Sequence, residues 1–125
     1  MGAHPAPEPP MTALDHKRCI PCEGGVERLP PASVAALLPE VPAWNTRGEA
    51  IARVFLFPDF VDLMRFVQRL ADLAEAEGHH PDFCVHWNKL DVSLWTHAIG
   101  GLHENDFVLA RKIDLLHEAH AAGRA

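Results

Sequence analysis

The sequence predicts one α+β domain, and three observations lead to that prediction. Two long stretches carry apolar residues at spacings of three and four, which indicates helices that bury one face. Shorter stretches alternate apolar and polar residues, which is typical of strands. Turn-forming residues separate the stretches in the order helix, strands, helix, hairpin, helix. We therefore expect an antiparallel sheet with helices on one face, its other face open or covered by a second copy of the chain.

The bulk numbers fit a single domain. The chain has 125 residues, 48% hydrophobic and 22% charged, as is usual for globular proteins. We expect residues 1–14, which are rich in proline, to be a disordered tail, residues 15–120 to be the domain, and residues 121–125 to fray. The net charge of -6 argues against a direct nucleic-acid partner, because such partners attract basic surfaces.

The location of the protein is predicted from absent signals and from cysteine usage. No stretch approaches the roughly 18 apolar residues of a membrane-spanning helix, and the N-terminus does not resemble a secretory signal. The three cysteines are an odd number, which favours reduced thiols. Together these features predict a cytoplasmic protein.

The first half of the chain is predicted to supply one short helix and two strands. Ser33 follows two prolines and is the expected cap of a helix that ends at Leu38. Two strand-forming stretches follow, separated by a turn at Gly48 and Glu49: residues 44–47 and 50–57.

A long helix of about 18 residues comes next. Pro58 and Asp59 are typical of a helix start, and Gly78 is a natural stop. The predicted apolar face consists of Phe60, Leu63, Met64, Val67, Leu70, Ala71 and Ala74.

The last third of the chain is predicted to be a hairpin and a helix. Residues 82–88 and 90–96 alternate, with a turn expected at Asn88 and Lys89. One side of the first strand would carry Phe83, Val85 and Trp87, and one side of the second Leu90, Val92 and Leu94. Gly100 and Gly101 permit a sharp exit into a helix over about 103–120.

Three histidines and an acid are predicted to meet at one end of the sheet. His79 and His80 leave the long helix together, and the hairpin returns the chain so that His97 comes near them. Asp106 then lies in the first turn of the last helix. Imidazole, with an ordinary pKa of about 6.5, both donates and accepts protons near neutral pH. The placement therefore indicates acid–base chemistry.

Each member of this cluster also has a simpler interpretation. A loop histidine is most often solvated, an acid such as Asp106 often caps its helix, and Glu75 on a helix surface is ordinarily a solvated charge. The background histidines, which share no spacing pattern, are His86, His103, His117 and His120. The tryptophans are more often packing residues than ligand platforms.

A zinc site is the alternative that the cysteines raise. Cys19 and Cys22 have the spacing of zinc ligands, and two histidines would complete a tetrahedral set. The cysteines lie far upstream, however, and adjacent histidines do not have the usual ligand spacing. We therefore expect no metal, and a redox role for the pair is similarly weak because no βαβ pattern surrounds it.

The spaced pattern resembles the signature of the pterin-4a-carbinolamine dehydratase family. Three, five, nine and eight residues separate its members, which are Glu75, His79-His80-Pro81, Trp87, His97 and Asp106. Shorter segments agree, including EGHHPDF, NKLDVSL and THAIGGL. The likeness covers about residues 17–118.

The resemblance implies a fold, an activity and an assembly. The fold would be a four-stranded antiparallel sheet with three helices packed on one face. The activity would be dehydration of a 4a-hydroxytetrahydropterin, the product of an aromatic amino-acid hydroxylase, to quinonoid dihydropterin. No metal or organic cofactor is implied, because the pterin is itself the substrate. A homodimer or homotetramer is the implied assembly.

The resemblance also implies residue roles. His79 and His97 would be the acid–base pair, exchanging roles with the configuration at C4a, and His80 would bind and orient the pterin. Asp106 and Glu75 would orient or polarise imidazoles. The implied substrate-binding set is His79, His80, Pro81, Thr96, His97, Ala98 and Ile99. Many relatives have Ser or Thr at the position of His103, which leaves the start of the last helix without its usual cap.

Two other functions stay open at this point. Members of the family also act as regulatory proteins, so a hydroxylase or a regulatory protein is a candidate partner. Service to molybdopterin metabolism is the other alternative. The intact three-histidine pattern favours the enzyme, since a scaffold has no need of it.

Overall fold

The computed structural model describes residues 14–20 and 27–124. The predicted tail over residues 1–13, the segment 21–26 that contains Cys22, and Ala125 lie outside the described residues. The helices are α1 (Pro31–Leu37), α2 (Phe60–Glu77) and α3 (Glu104–Ala122), with single 3-10 turns at Leu38–Glu40 and His97–Ile99. The strands are β1 (Asn45–Arg47), β2 (Ala50–Leu56), β3 (Asp82–His86) and β4 (Lys89–Leu94).

The four strands form one antiparallel sheet in the order β1-β2-β4-β3. The register pairs Ile51 with Leu94 and Phe55 with Leu90, so these side chains share a face. All four are buried, whereas Val54 on the opposite face is exposed. The predicted α+β class, with a four-stranded antiparallel sheet and three helices, is confirmed.

The hairpin turn differs by one residue from the prediction. His86 pairs with Lys89, so the two-residue loop is Trp87 and Asn88 rather than Asn88 and Lys89. Such loops require positive φ, and Trp87 has φ 52°. Trp87 therefore lies in the turn, where it is 70% exposed, and the prediction that it belongs to the strand on one side with Phe83 and Val85 was wrong.

Helix α1 begins earlier than predicted. Its first residue is Pro31, because the fixed φ of proline suits the first helical position and its missing N–H costs nothing there. Ser33 lies inside the helix, with its N–H donating to the carbonyl of Pro30. The prediction that Ser33 caps the helix was therefore wrong.

Helix α2 has the predicted ends but a rotated inner face. The Asp59 carboxylate accepts from the N–H of Asp62 at 2.8 Å, and Gly78 has φ 64° at the C-terminal end. The buried residues are Leu63, Phe66, Leu70, Ala74 and Glu77. The predicted core residues Phe60 and Met64 are exposed, because spacings of three and four also extend along the flank of a helix.

Helix α3 closes the core over the sheet. Its buried Asp114 accepts from Trp44 Nε1 at 2.8 Å and from Arg53 at 2.6 Å. Burial raises the pKa of Asp114 above its ordinary value, while the bonds from Trp44 and Arg53 act in the opposite direction. Arg53 also lies over the ring of Phe55, with 4.2 Å from its guanidinium carbon to the ring centroid. These contacts fix the middle of α3 to β2.

The end of α3 carries two histidines among aromatic rings. The centroid of the His117 ring lies 4.9, 5.5 and 5.6 Å from those of Phe55, Phe57 and Phe66. His120 lies at 3.1 Å from the carboxylate of Asp62. Both belong to the packed part of the molecule. The helix itself continues to Ala122, two residues past the predicted end.

Residues 14–20, which we call the N-terminal strap, cross the start of α3. Leu14, which was predicted to belong to the disordered tail, is buried in the core. Asp15 accepts from Arg111 at 2.6 Å, and this hydrogen bond raises the pKa of Arg111 above its ordinary value. At the other end of the strap, the backbone of Ile20 is hydrogen-bonded to the side chain of Asn105.

In the part of the chain that the structure describes, no helix is long and apolar enough to cross a bilayer.

Candidate active site

One pocket at the end of the sheet collects the predicted histidines. Its volume is about 410 Å³, within the range of about 300–1,000 Å³ that is usual for small-molecule sites. It is lined by Ile20, residues 78–82, residues 95–98 and Asn105. His79, His80 and His97 therefore face one space, together with the predicted Pro81, Thr96 and Ala98.

His79 is the most enclosed of the three imidazoles. Gly78 turns the chain out of α2 in the left-handed region, which favours glycine, and the N–H of His79 donates to the carbonyl of Ala74 at 3.3 Å. His79 Nε2 lies 2.6 Å from Asp106 Oδ1. Its side chain is 13% exposed, so His79 is held firmly at the pocket wall.

Asp106 combines the two roles that the sequence left open. Its fully buried carboxylate accepts from Thr96 Oγ1 at 2.9 Å and from the N–H of His103 at 2.9 Å, in addition to its contact with His79. The bond to His103 is half of a capping box. Asp106 thus caps α3 and holds His79 with the same carboxylate.

His103 supplies the other half of that box. Its Nδ1 accepts from the N–H of Asn105 at 3.0 Å. The expectation that the helix start lacks its cap at His103 was therefore wrong, because an imidazole nitrogen with a lone pair replaces the hydroxyl.

His80 and Glu75 form an exposed pair beside the pocket. His80 Nε2 lies 2.7 Å from Glu75 Oε2. The side chains are 63% and 76% exposed, so water screens their attraction. Glu75 therefore contacts an imidazole, that of His80, as the sequence predicts. It does not line the pocket.

His97 has two neighbours, Trp95 and Asp82, that were not among the predicted site residues. The Trp95 ring packs on the His97 ring with 3.9 Å between centroids. Asp82 Oδ2 accepts from Trp95 Nε1 at 3.0 Å and lies 3.5 Å from His97 Nε2. The two-residue spacing of Trp95 and His97 was a signal for a shared side. The role of Asp82 required the register, in which it pairs with Ser93 on β4.

Two cavities without the histidine cluster adjoin the connector before α1. Ile99, which the sequence places in the substrate-binding set, lines a neighbouring cavity of about 420 Å³ instead of the histidine pocket. A larger cavity of about 500 Å³ lies between α1 and the β1–β2 turn. Its described lining is mostly aliphatic and carries no imidazole, so the smaller histidine pocket is the candidate for acid–base chemistry.

Residues 14–20 and 27–124 contain no group of three or more His, Cys, Asp or Glu side chains arranged to hold a metal ion. Cys19 donates to the backbone carbonyl of Asn105 at 3.5 Å. Cys22 lies outside the described residues, so the expectation that Cys19 and Cys22 form neither a zinc site nor a redox pair stays a prediction.

Comparison with known proteins assigns the family. Residues 27–116 match the family model described as pterin 4 alpha carbinolamine dehydratase. A protein of Chlorobaculum tepidum is 42% identical over 110 residues, covering 85% of this chain and 99% of its own. One of Rickettsia bellii is 46% identical over 107 residues, covering 83% and 94%. Both carry the provisional name pterin-4-alpha-carbinolamine dehydratase.

A solved structure is similar over most of the described fold. The crystal structure of the transcriptional coactivator/pterin dehydratase from Brucella melitensis superposes with a TM-score of 0.68 at 34% identity. The match covers 72% of this chain and 98% of that one. The family match and the names of these relatives indicate an enzyme of the hydro-lyase class. The chain belongs to the pterin 4 alpha carbinolamine dehydratase family.

Proposed function

We propose that the histidine pocket dehydrates a 4a-hydroxytetrahydropterin to quinonoid dihydropterin by acid–base catalysis. One observation carries the proposal: three imidazoles line one pocket, and each has a carboxylate oxygen next to its Nε2. The pairs are His79 with Asp106, His80 with Glu75, and His97 with Asp82.

These carboxylates determine which ring nitrogen is available. An ionised carboxylate only accepts hydrogen bonds, so the Nε2 atoms of His79 and His80, at 2.6 and 2.7 Å from a carboxylate oxygen, carry the proton. The charge of Asp82, 3.5 Å from His97 Nε2, favours the same tautomer of His97. The lone pair of a neutral imidazole is then on Nδ1. Each histidine can therefore accept a proton at Nδ1 when neutral and donate it from there when charged.

The reaction needs one donor and one acceptor at the same time. The acid protonates the 4a oxygen, and the C–O bond breaks with its electron pair leaving on water. The base removes the proton of a ring N–H, whose electron pair forms the new double bond. We assign these roles to His79 and His97, which exchange them with the configuration at C4a. His80, which is exposed and paired with Glu75, binds and orients the ring.

The test is turnover of separated 4a-hydroxypterin stereoisomers followed by absorbance. General acid–base catalysis contributes about 10²–10⁴-fold, so His79→Ala and His97→Ala should each lower turnover by about that range. His86→Ala, an exposed histidine on β3, is the matched control and should leave turnover unchanged. Turnover within a few-fold of wild type for both active-site variants would reject the assignment.

The physiological setting belongs to the same proposal. A dehydratase of this kind returns the pterin used by an aromatic amino-acid hydroxylase to a form ready for reduction, which places the protein with such a partner in the cytoplasm. The net charge of -6 suits protein partners better than nucleic acid.

Protein binding is a second candidate, on a separate observation. The relative from Brucella melitensis is described as a coactivator as well as a dehydratase. In this chain Phe60, Val61 and Met64 are exposed on α2, and clustered exposed apolar residues mark interaction surfaces. We propose that this face builds a homodimer or homotetramer or receives a regulatory partner. Light scattering after gel filtration measures the assembly, and a monomer would contradict the first alternative.

A further inference from the structure

Ile20 is an apolar residue at a polar pocket. Its side chain is 60% exposed, yet it lines the same cavity as His79 and His97. Exposed apolar side chains are common and need no explanation when they stand singly. Ile20 differs because its backbone is fixed in place from an unrelated part of the chain.

Asn105 fixes that backbone in two directions. The side-chain oxygen of Asn105 accepts from the N–H of Ile20 at 2.9 Å, and its amide nitrogen donates to the Ile20 carbonyl. Asn105 is 3% exposed, so these bonds are made away from competing water. Since Asn105 immediately precedes Asp106, the clamp on Ile20 and the carboxylate that holds His79 are neighbours in one helical turn.

The rest of the strap is anchored independently of Ile20. Leu14 is in the hydrophobic core, and the pair of Asp15 with Arg111 is largely buried. Lys17 pairs with Glu104 at the start of α3. Contacts within the protein therefore hold the strap, so a ligand that contacts Ile20 does not have to order this segment.

We propose that Ile20 is a substrate-binding residue that contacts the pterin, and that Asn105 is the positioning residue that holds it there. A pterin ring is flat, with polar edges and apolar faces. Small-molecule sites match such ligands with apolar walls and a few polar groups. The imidazoles serve the polar edges, and Ile20 adds apolar wall on the strap side.

This inference rests on the proposed function only in taking a pterin as the ligand. It does not depend on which histidine is acid or base. The experiment therefore measures binding of 7,8-dihydropterin, which lacks the 4a hydroxyl and does not react, alongside steady-state turnover of the 4a-hydroxypterin.

Ile20→Ala should weaken dihydropterin binding about three- to tenfold, the range expected for losing part of one aliphatic contact. KM should rise by the same factor with kcat within about twofold, because the contact is equal in ground and transition states. Ile20→Val should retain most of the affinity. Leu56→Ala is the matched control, because Leu56 is 63% exposed on β2 and does not line the pocket.

A double-mutant cycle tests Asn105. Asn105→Ala should weaken binding about as much as Ile20→Ala, and combining the two should add less than about twofold, because residues that act through one contact are not additive. Should Asn105→Ala not fold, Asn105→Asp takes its place, since it keeps the acceptor for the Ile20 N–H and loses the donor.

The outcomes separate the two proposals. Wild-type affinity in Ile20→Ala, with normal turnover of the wild-type enzyme, overturns the role of Ile20 alone. Fully additive losses overturn the positioning role of Asn105. A wild-type protein that neither binds dihydropterin nor dehydrates the 4a-hydroxypterin overturns the proposed function, and the inference with it.

Discussion

Helix α3 has histidines near both of its ends, and their surroundings differ. At its start, carboxylates face the imidazoles: Asp106 is 2.6 Å from His79, and Asp82 is 3.5 Å from His97. At its end, phenylalanine rings surround His117, the nearest centroid being 4.9 Å away at Phe55. The same side chain therefore meets ionic, partly open surroundings at one end and an aromatic enclosure at the other.

The difference changes what the histidines can do. Burial, together with the positive charges of Arg53 and Arg124, lowers the pKa of His117 to about 4. His117 is consequently neutral at pH 7 and serves packing. The imidazoles at the start of α3 have acceptors for a ring proton and an open cavity beside them. Neighbours, not the number of histidines, decide which end is suited to proton transfer.

Among the changes that compare the two ends of α3, we expect the largest effect from Asp106→Asn, which alters the carboxylate next to His79. The amide oxygen that replaces Oδ2 keeps the bonds from Thr96 and His103, so the NH₂ group faces His79 Nε2. Nε2 must then accept a hydrogen bond, which favours the tautomer with the proton on Nδ1 and removes the lone pair there. A hydrogen bond to a charged group contributes about 1.5–3 kcal/mol, so turnover should fall about 10- to 100-fold. The measurement is kcat for the 4a-hydroxypterin.

Asp91→Asn is the control for that change. Asp91 accepts two bonds from Arg47 on β1, so the same substitution removes an ion pair whose members do not line the pocket. Its turnover should match wild type, and its stability should change little, because water screens exposed ion pairs. Equal turnover in Asp91→Asn and Asp106→Asn would contradict the role given to Asp106.

The second prediction concerns His117→Phe, which removes the titrating group from among the phenylalanine rings at the end of α3. Unfolded histidine takes up a proton near pH 6.5, whereas folded His117 does so only near pH 4. His117 therefore does not change the free energy of unfolding above about pH 6.5, and it lowers that free energy as the pH falls from 6.5 to 4. His117→Phe should remove about 1–2 kcal/mol of that fall.

Urea unfolding at pH 7 and pH 4.5 measures this difference. His86→Phe, at an exposed position on β3, should leave the pH dependence as it is in the wild type. Turnover of His117→Phe at pH 7 should also be unchanged. An unaltered pH dependence in His117→Phe would show that the aromatic enclosure does not keep His117 neutral.

The smallest expected effect comes from Glu75→Gln. Its pair with His80 is exposed on both sides, and such pairs contribute about 0–1 kcal/mol. We expect kcat/KM to fall no more than about fivefold. A loss comparable with that of Asp106→Asn would show that Glu75 takes a direct part in the chemistry, so this measurement distinguishes its two interpretations.

The fold was predictable where local pattern decides it. Gly78 ends α2, β4 buries alternate residues, and Asp106 lies in the first turn of α3, because turn chemistry and periodicity are properties of neighbouring residues. The rotated inner face of α2 shows the limit. Phe60 and Phe66 are both acceptable on an apolar face until the sheet determines which one is covered.

The sequence predicted the three histidines and the acids Asp106 and Glu75, but it did not predict the contacts of Asp82 and Ile20. The return of a hairpin places His97 near His79 from chain geometry alone. Asp82 became a neighbour of His97 only through the strand register, and Ile20 meets Asn105 across 85 positions of sequence. Contacts of that separation depend on tertiary packing, which periodicity does not report.

Asp106 both caps the start of α3 and holds His79, so the position of the imidazole depends on the first turn of the helix. The carboxylate that satisfies the first backbone amide ahead of α3 is the one that fixes His79. A local opening of the first turn of α3 that displaces Asp106 exposes the His103 amide to exchange with deuterium and also releases the imidazole of His79. On heating, we therefore expect amide protection at His103 and the enzymatic rate to decline together.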